Sequence, residues 1–324
     1  ITRDDAVALT QLLEAAGIDA VHVSGYGGTV GGFIEAPVVY PPGNLVADAA
    51  AVKRAVDVPV IAVGRIDLRM AESLIGDGTA DLLALGRPLL ADPELPRKLA
   101  AGRPADIRPC IYCYRCVSRH LEGQATVCSV NPAVGEEDLA VMPAAPRKLD
   151  VAVVGGGPAG IEAARLAALA GHRVTLYEAA PRLGGSLFFA AIVNPDIAAL
   201  RDWLISAVKR LPIQVHLGRA VTPETLAAAA PEVTILATGP RLAVPEIRLA
   251  PGGRALTAAA LRGMLRGQGT ADAFGGFRGL FLKLLGPLLA RLGPGTLRRL
   301  AWRWLPLGRR VAVIGGDLGA VELA

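Results

Sequence analysis

The stretch DVAVVGGGPAGIEAARLAALAGHRVTLYE, residues 150–178, constrains the fold more than any other. An apolar strand runs into a glycine turn, an Ala/Leu-rich helix follows, and a second apolar strand ends on an acid. A strand–helix–strand crossover of this length joins parallel neighbours, so a parallel sheet with helices packed on it is required. The turn has the spacing G-x-G-x-x-G at Gly155, Gly157 and Gly160. Gly155 makes the tight turn, Gly157 admits a pyrophosphate, and Gly160 lets the helix approach the strand. The helix N-terminus then faces negative phosphates. Glu178, at the end of the second strand, is expected to accept hydrogen bonds from an adenosine ribose hydroxyl.

The first hundred residues predict the same class of architecture. TRDDAVALTQLLEAAG (2–17) reads as a helix capped by Thr2 and closed by Gly17. DAVHVS (19–24), VPVIAVG (58–64) and ADLLALG (80–86) read as continuously apolar strands. VADAAAVKRAV (46–56) and LRMAESLIGDG (68–78) read as the helices between them. The second and third strands each end in Gly-Arg, at Gly64-Arg65 and Gly86-Arg87. Glycine lets backbone amides reach a phosphate and a guanidinium donates in a fork, so these pairs are candidates for a phosphate site. The alternative is two ordinary turns with solvated arginines. His22, inside the first strand, is read as a packing residue.

Between these two regions periodicity stops, and all four cysteines of the chain fall there: Cys110, Cys113, Cys116 and Cys128, in the spacing C-x2-C-x2-C-x11-C. Disulfides need an oxidising compartment. No signal-peptide pattern opens the sequence, so a cytoplasmic, reducing setting is expected. Structural zinc usually takes two separated C-x2-C pairs. Three cysteines on one turn with a fourth from a loop is instead the pattern of a 4Fe-4S cluster. Zinc and unbound thiols remain the alternatives.

Charge narrows the partners. Lys and Arg exceed Asp and Glu by five over the chain, but residues 254–310 hold eleven Lys/Arg and one acid, Asp272, so the remainder is net negative. With aromatics at 4%, a stacking platform for nucleic acid is not expected. The basic segment is rich in leucine at helical spacing. A peripheral membrane contact through 279–304 is one reading. The plainer one is an insertion whose leucines pack on the following nucleotide domain, broken by Pro287 and Pro294. Its longest apolar run, GLFLKLLGPLLARL (279–292), is too short to span a bilayer. RRVAVIGGDLGAVELA (309–324) begins a second glycine turn in which Asp317 and Ala320 replace the second and third glycines. A helix opened there cannot bury its apolar face without a following strand, so a piece of a longer protein is expected.

The sequence from VPVIAVGR through the cysteines to NPAVGEE resembles the end of the flavin barrel and the cluster loop of one family. That family is the old yellow enzyme relatives with extra domains: 2,4-dienoyl-CoA reductase, 2-enoate reductase and trimethylamine dehydrogenase. PRLGG, with Gly184 and Gly185, and ILATG (235–239) are similar to markers of two-dinucleotide flavoproteins. The resemblance implies five parts. Residues 1–108 would be the C-terminal part of an FMN-binding (β/α)8 barrel, and 109–146 the 4Fe-4S segment. Residues 147–253 would form a Rossmann-like domain for FAD, or ADP, and 254–308 an insertion. Residues 309–324 would start an NAD(P)-binding domain. Gly64, Arg65, Gly86 and Arg87 would hold the FMN phosphate. The implied activity is electron flow from NAD(P)H to FAD, the cluster and FMN, and reduction of an activated C=C bond in a small-molecule substrate. Amine dehydrogenation is the alternative within the family. A non-catalytic scaffold held by zinc and nucleotide is the alternative outside it. In the family the residues that bind substrate and donate protons lie on barrel strands absent here, so no catalytic acid or base is named.

Overall fold

The computed structural model describes residues 2–25, 40–137, 144–240 and 291–304. The chain divides into two compact units, residues 1–140 and 141–324. Both are mixed α/β with parallel sheets.

In the first unit the order is α1 (Arg3–Ala15), β1 (Val21–Val23), α2 (Val46–Lys53), β2 (Val60–Ala62), α3 (Leu68–Gly76) and β3 (Leu82–Leu83). Short helices α4 (Gly86–Ala91), α5 (Leu95–Ala100) and α6 (Arg115–Leu121) follow, with a 3-10 turn at Pro104–Asp106 between the last two. Two helix starts, those of α1 and α3, are set by side chains. Thr2 and Asp5 exchange hydrogen bonds at the head of α1 as a capping box. Asp67 accepts from the Arg69 and Met70 amides at the head of α3. The strands pair in parallel in the order β1-β2-β3, with Val21 opposite Val60 and Ile61 opposite Leu82. Val60 and Ala62 on the central strand are wholly buried and pack with Ala49, Val52, Ile66 and Leu74. His22 is exposed on β1 rather than packed, because that strand turns its two valines inward.

The second unit is built on β4 (Asp150–Val154), α7 (Pro158–Leu169), β5 (Arg173–Glu178), α8 (Leu187–Val193) and α9 (Pro195–Lys209). It continues with β6 (Ile213–Leu217), α10 (Pro223–Ala229), β7 (Val233–Leu236) and α11 (Pro294–Trp304). The sheet is parallel in the order β6-β5-β4-β7. β4 therefore has its successor β5 on one side and the late strand β7 on the other. This reversal of strand order opens a crevice beyond the strand ends, where open parallel sheets take ligands. Val151, Val153, Ile161, Ala164 and Leu176 are buried between β4, β5 and α7.

In the basic segment Pro294 opens the short helix α11, as its fixed φ and missing N–H allow at a first turn. α11 packs against α8 of this unit, with Leu297 buried. The expected second glycine turn and residues 254–290 lie outside the described residues. No helix among the described residues is long and apolar enough to cross a membrane.

Candidate functional site

The glycine turn sits at the C-terminal end of β4. Gly155 has φ +113, a conformation L side chains rarely adopt, and a Cβ there would lie 2.2 Å from the Ala237 carbonyl oxygen after β7. A Cβ on Gly160 would lie 1.8 Å from the Gly155 oxygen. These two glycines are fixed by the protein's own packing. Gly157 differs: a Cβ there would meet nothing nearer than 4.0 Å, so its missing side chain leaves open space at the head of α7. Gly184 and Gly185 come to the same place. The Gly184 amide donates to the Gly156 carbonyl at 2.8 Å, and a Cβ on Gly185 would press on Gly157 Cα at 2.8 Å.

Glu178 ends β5 against this turn, but its carboxylate is used differently from the expectation. Oε2 accepts from the Gly156 amide and Oε1 from the Ala180 amide, both at 2.7 Å. Each oxygen has a second lone pair for a ribose hydroxyl; what the structure places there is a brace on the turn. Gly156, which sequence spacing passed over, is required by that brace, since a Cβ would meet Glu178 Cβ at 2.9 Å.

In the first unit, the cysteine segment is pinned at both ends. Asp92, only 4% exposed, takes the Lys98 ammonium at 2.6 Å and the Arg108 amide at 2.7 Å. Arg108 Nη1 donates to the Val130 carbonyl at 2.6 Å, and Asn131 Nδ2 to the Leu90 carbonyl at 3.0 Å. The stretch between must fold back on itself. Cys110, Cys113, Cys116 and Cys128 all line one pocket, together with Arg87 and Tyr112. None is in a disulfide. The Tyr112 amide donates to Cys110 Sγ at 3.3 Å, and Cys113 Sγ and Ser129 Oγ are 3.3 Å apart.

Two features bear on what this pocket could hold. Among the described residues four non-glycine residues have positive φ; Tyr112 and Tyr114 line the pocket, and Arg65 lies over the Tyr112 ring. Each costs about 1 kcal/mol or more and persists only where the surroundings impose it. Burial also pushes the Cys110 thiol up to about 12, against the Tyr112 amide and the Arg87 cation, and with Cys128 and Cys113 adding to the rise. Cys116 is raised mainly by burial as well. Neutral thiols crowded in an apolar pocket gain little from one another, whereas a cationic metal centre would displace their protons and take the sulfurs as thiolates. Among the described residues no three His, Cys, Asp or Glu side chains converge tightly enough to hold a single ion. The donor set of four thiols on one pocket, with an amide already on one sulfur, fits a cluster that takes one sulfur per iron.

The two Gly-Arg pairs flank this pocket. Gly64 has φ +113, and Gly86 opens α4 with nothing within 4 Å of the point where a Cβ would stand. Arg65 and Arg87 are not solvated; both are 8% exposed. Arg65 Nη1 donates to the Tyr40 carbonyl. Both guanidiniums lie over the Tyr112 ring, at 4.7 and 5.2 Å from its centre.

Residues 33–106 match the NADH:flavin oxidoreductase / NADH oxidase family, and residues 150–217 match FAD dependent oxidoreductase. Over 259 residues the chain is 40% identical to NADH oxidase of Thermoanaerobacter brockii, covering 76% of this chain and 39% of that protein. It is 36% identical over 244 residues to cinnamate reductase of Clostridium sporogenes, covering 72% and 36%. A solved complex of 2-naphthoyl-CoA reductase with 2-naphthoyl-CoA aligns at TM-score 0.70 and 29% identity, over 76% of this chain and 38% of that one. The chain thus spans well under half the length of these relatives.

Proposed function

This chain belongs to the old yellow enzyme-related multidomain flavoproteins, and on that premise we propose that it is part of an NAD(P)H-dependent iron–sulfur flavoprotein that reduces an activated carbon–carbon double bond. The observation that carries the reading is the meeting of all four cysteines on one pocket beside Arg87.

The residues divide the work. Cys110, Cys113, Cys116 and Cys128 would hold a 4Fe-4S cluster. Gly64, Arg65, Gly86 and Arg87 would hold the phosphate of FMN. Gly155, Gly157, Gly160, Gly184 and Gly185 would receive FAD, or ADP, with Glu178 bracing the turn and turning its remaining lone pairs to the ribose. When bound, these groups supply hydride exchange with a nicotinamide and single-electron transfer between two flavins. The chain's own part is position. Partial burial shields the Cys110 and Cys116 sulfurs, the Tyr112 amide points at Cys110, and the open face of Gly157 admits a pyrophosphate to the head of α7.

The names of the relatives support reduction of a double bond conjugated to an acid or a thioester: one is a cinnamate reductase, another a 2-naphthoyl-CoA reductase. The test is anaerobic NADH and NADPH oxidation by the full-length protein with enoates, enoyl thioesters and dienoyl thioesters. Turnover with these, and none with tertiary amines plus an external acceptor, is expected. The reverse pattern would replace this reading with the amine dehydrogenase alternative, and neither activity in cofactor-replete protein would leave the scaffold reading.

A further inference from the structure

We propose that Tyr112, a residue of the cysteine turn, is the positioning residue of the flavin phosphate clamp. The proposal rests on the reading that Arg65 and Arg87 bind the FMN phosphate, and it deepens that reading.

The two arginines come from the ends of different strands, 22 positions apart in sequence, and need a common reference to act on one phosphate. Long side chains held by nothing would lose rotamer entropy each time a phosphate bound. Here both guanidiniums lie over one ring, within the distance at which a cation is attracted to an aromatic face. The ring is itself fixed. Tyr112 is 8% exposed, its φ is +49, and its amide is engaged by Cys110 Sγ. Stacking uses the face of a guanidinium, while its N–H donors lie in the plane and act at the edge. A ring contact can therefore orient both forks without competing with a phosphate for their donors. The arrangement also explains why a bulky residue is tolerated at a left-handed position between two cysteines: the strain is offset by the ring's two cationic contacts.

The consequence is specific to the phosphate. Removing the ring should weaken binding of FMN but not of riboflavin, which has the same isoalloxazine and no phosphate. Tyr112→Asn suits the test, because Asn accepts a left-handed backbone and keeps the turn unstrained. Tyr112→Phe keeps the ring. Using flavin-stripped full-length protein, the affinities for FMN and riboflavin are measured by fluorescence quenching, with iron content measured on the same samples. The expected result is a fall of about tenfold in the FMN-to-riboflavin preference for Tyr112→Asn, from the loss of two cation–π contacts. Tyr112→Phe should restore it, and iron should be equal in all samples. An unchanged preference in Tyr112→Asn overturns the proposal, as does an equal loss of both flavins, which would mark a merely structural role. Arg65→Gln/Arg87→Gln separates this from the reading beneath it. If that double variant keeps the preference, the phosphate clamp itself is refuted and Tyr112 falls with it. If it loses the preference while Tyr112→Asn does not, the clamp stands and only the role of Tyr112 is refuted.

Discussion

The two candidate binding regions of this chain are made in opposite ways. The glycine turn at the end of β4 is finished by the polypeptide itself. At Gly155, Gly160 and Gly185 the close approaches are to backbone, and the Glu178 carboxylate already bonds two amides. The cysteine turn is not finished in this sense. Burial pushes up its Cys110 and Cys116 thiols, its tyrosines sit at positive φ, and its ends are clamped by Asp92, Arg108 and Asn131. A pocket lined with four sulfurs suits a cationic centre that takes them as thiolates. On the proposed reading the first region is a rigid receptacle, and the second is a frame around its own ligand.

The strongest test of that contrast is to damage one region and watch the other. Cys110→Ser should empty the frame. Iron falls to near zero, and NAD(P)H-driven substrate reduction drops by a factor of about a hundred or more, a barrier increase of roughly 3 kcal/mol. FAD content should stay at the wild-type level, as read by extraction and chromatography. A parallel loss of FAD would break the comparison.

Within the receptacle, two neighbouring glycines should behave differently. Gly160→Ala puts a methyl group 1.8 Å from a backbone oxygen, so thermal unfolding should show a loss of about 3 kcal/mol or more. Gly157→Ala meets nothing within 4 Å except Gly185 Cα at that limit. Its stability should change by no more than about 1 kcal/mol, the effect of a poorer N-cap, while dinucleotide affinity falls at least about tenfold through loss of the space for pyrophosphate.

The sequence made the receptacle legible and the frame only half so. A strand, glycine turn and helix obey local rules, and β4, α7 and β5 stand where those rules put them. β1, β2 and β3 were legible as apolar runs, because burial of a parallel strand leaves a continuous signature. β6, IQVHL, has no such signature: Gln214 and Val215 are both exposed and it lies at the sheet edge. α9 went unread although Asn194 stands as its N-cap and Pro195 at its first turn. The cysteine spacing named a set of sulfurs. It could not name Asp92, which closes the frame from 16 residues before Arg108, or the ring of Tyr112 beneath Arg65 and Arg87. Contacts of that range leave no period or spacing to read. The role of Glu178 as a brace was hidden for another reason: the same carboxylate at the same place serves ribose or amide equally well.

Asp92→Asn sharpens the account of the frame. It strips the charge from a buried carboxylate and leaves Lys98, 22% exposed, with an uncompensated ammonium. Breaking such a pair should cost about 3 kcal/mol, a fall in melting temperature on the order of 10 °C for a unit of this size. Iron retention should decline with it, since the Arg108 amide loses its anionic acceptor.

The smallest effect lies outside both regions. The Val60 amide, with Lys53, holds the Asp81 carboxyl below its ordinary value of 3.8. At Asp67 burial opposes the shift, but the Arg69 side chain and the Met70 and Arg69 amides outweigh it. A depressed carboxylate stabilises the fold above the unfolded value and loses that contribution as pH falls through the folded one. Urea midpoints should therefore decline modestly below about pH 4, and Asp67→Asn should flatten that decline. An acid limb unchanged by the substitution would remove these carboxylates from the account.

The central claim is that the four sulfurs are shared by one iron–sulfur centre, and its most direct measurement is electron paramagnetic resonance on oxygen-protected, dithionite-reduced full-length protein, with iron and acid-labile sulfide assayed on the same sample. The account predicts about four irons and four sulfides per chain and a reduced-cluster signal that disappears in Cys110→Ser. Stoichiometric zinc in place of iron, with no signal on reduction, would contradict it.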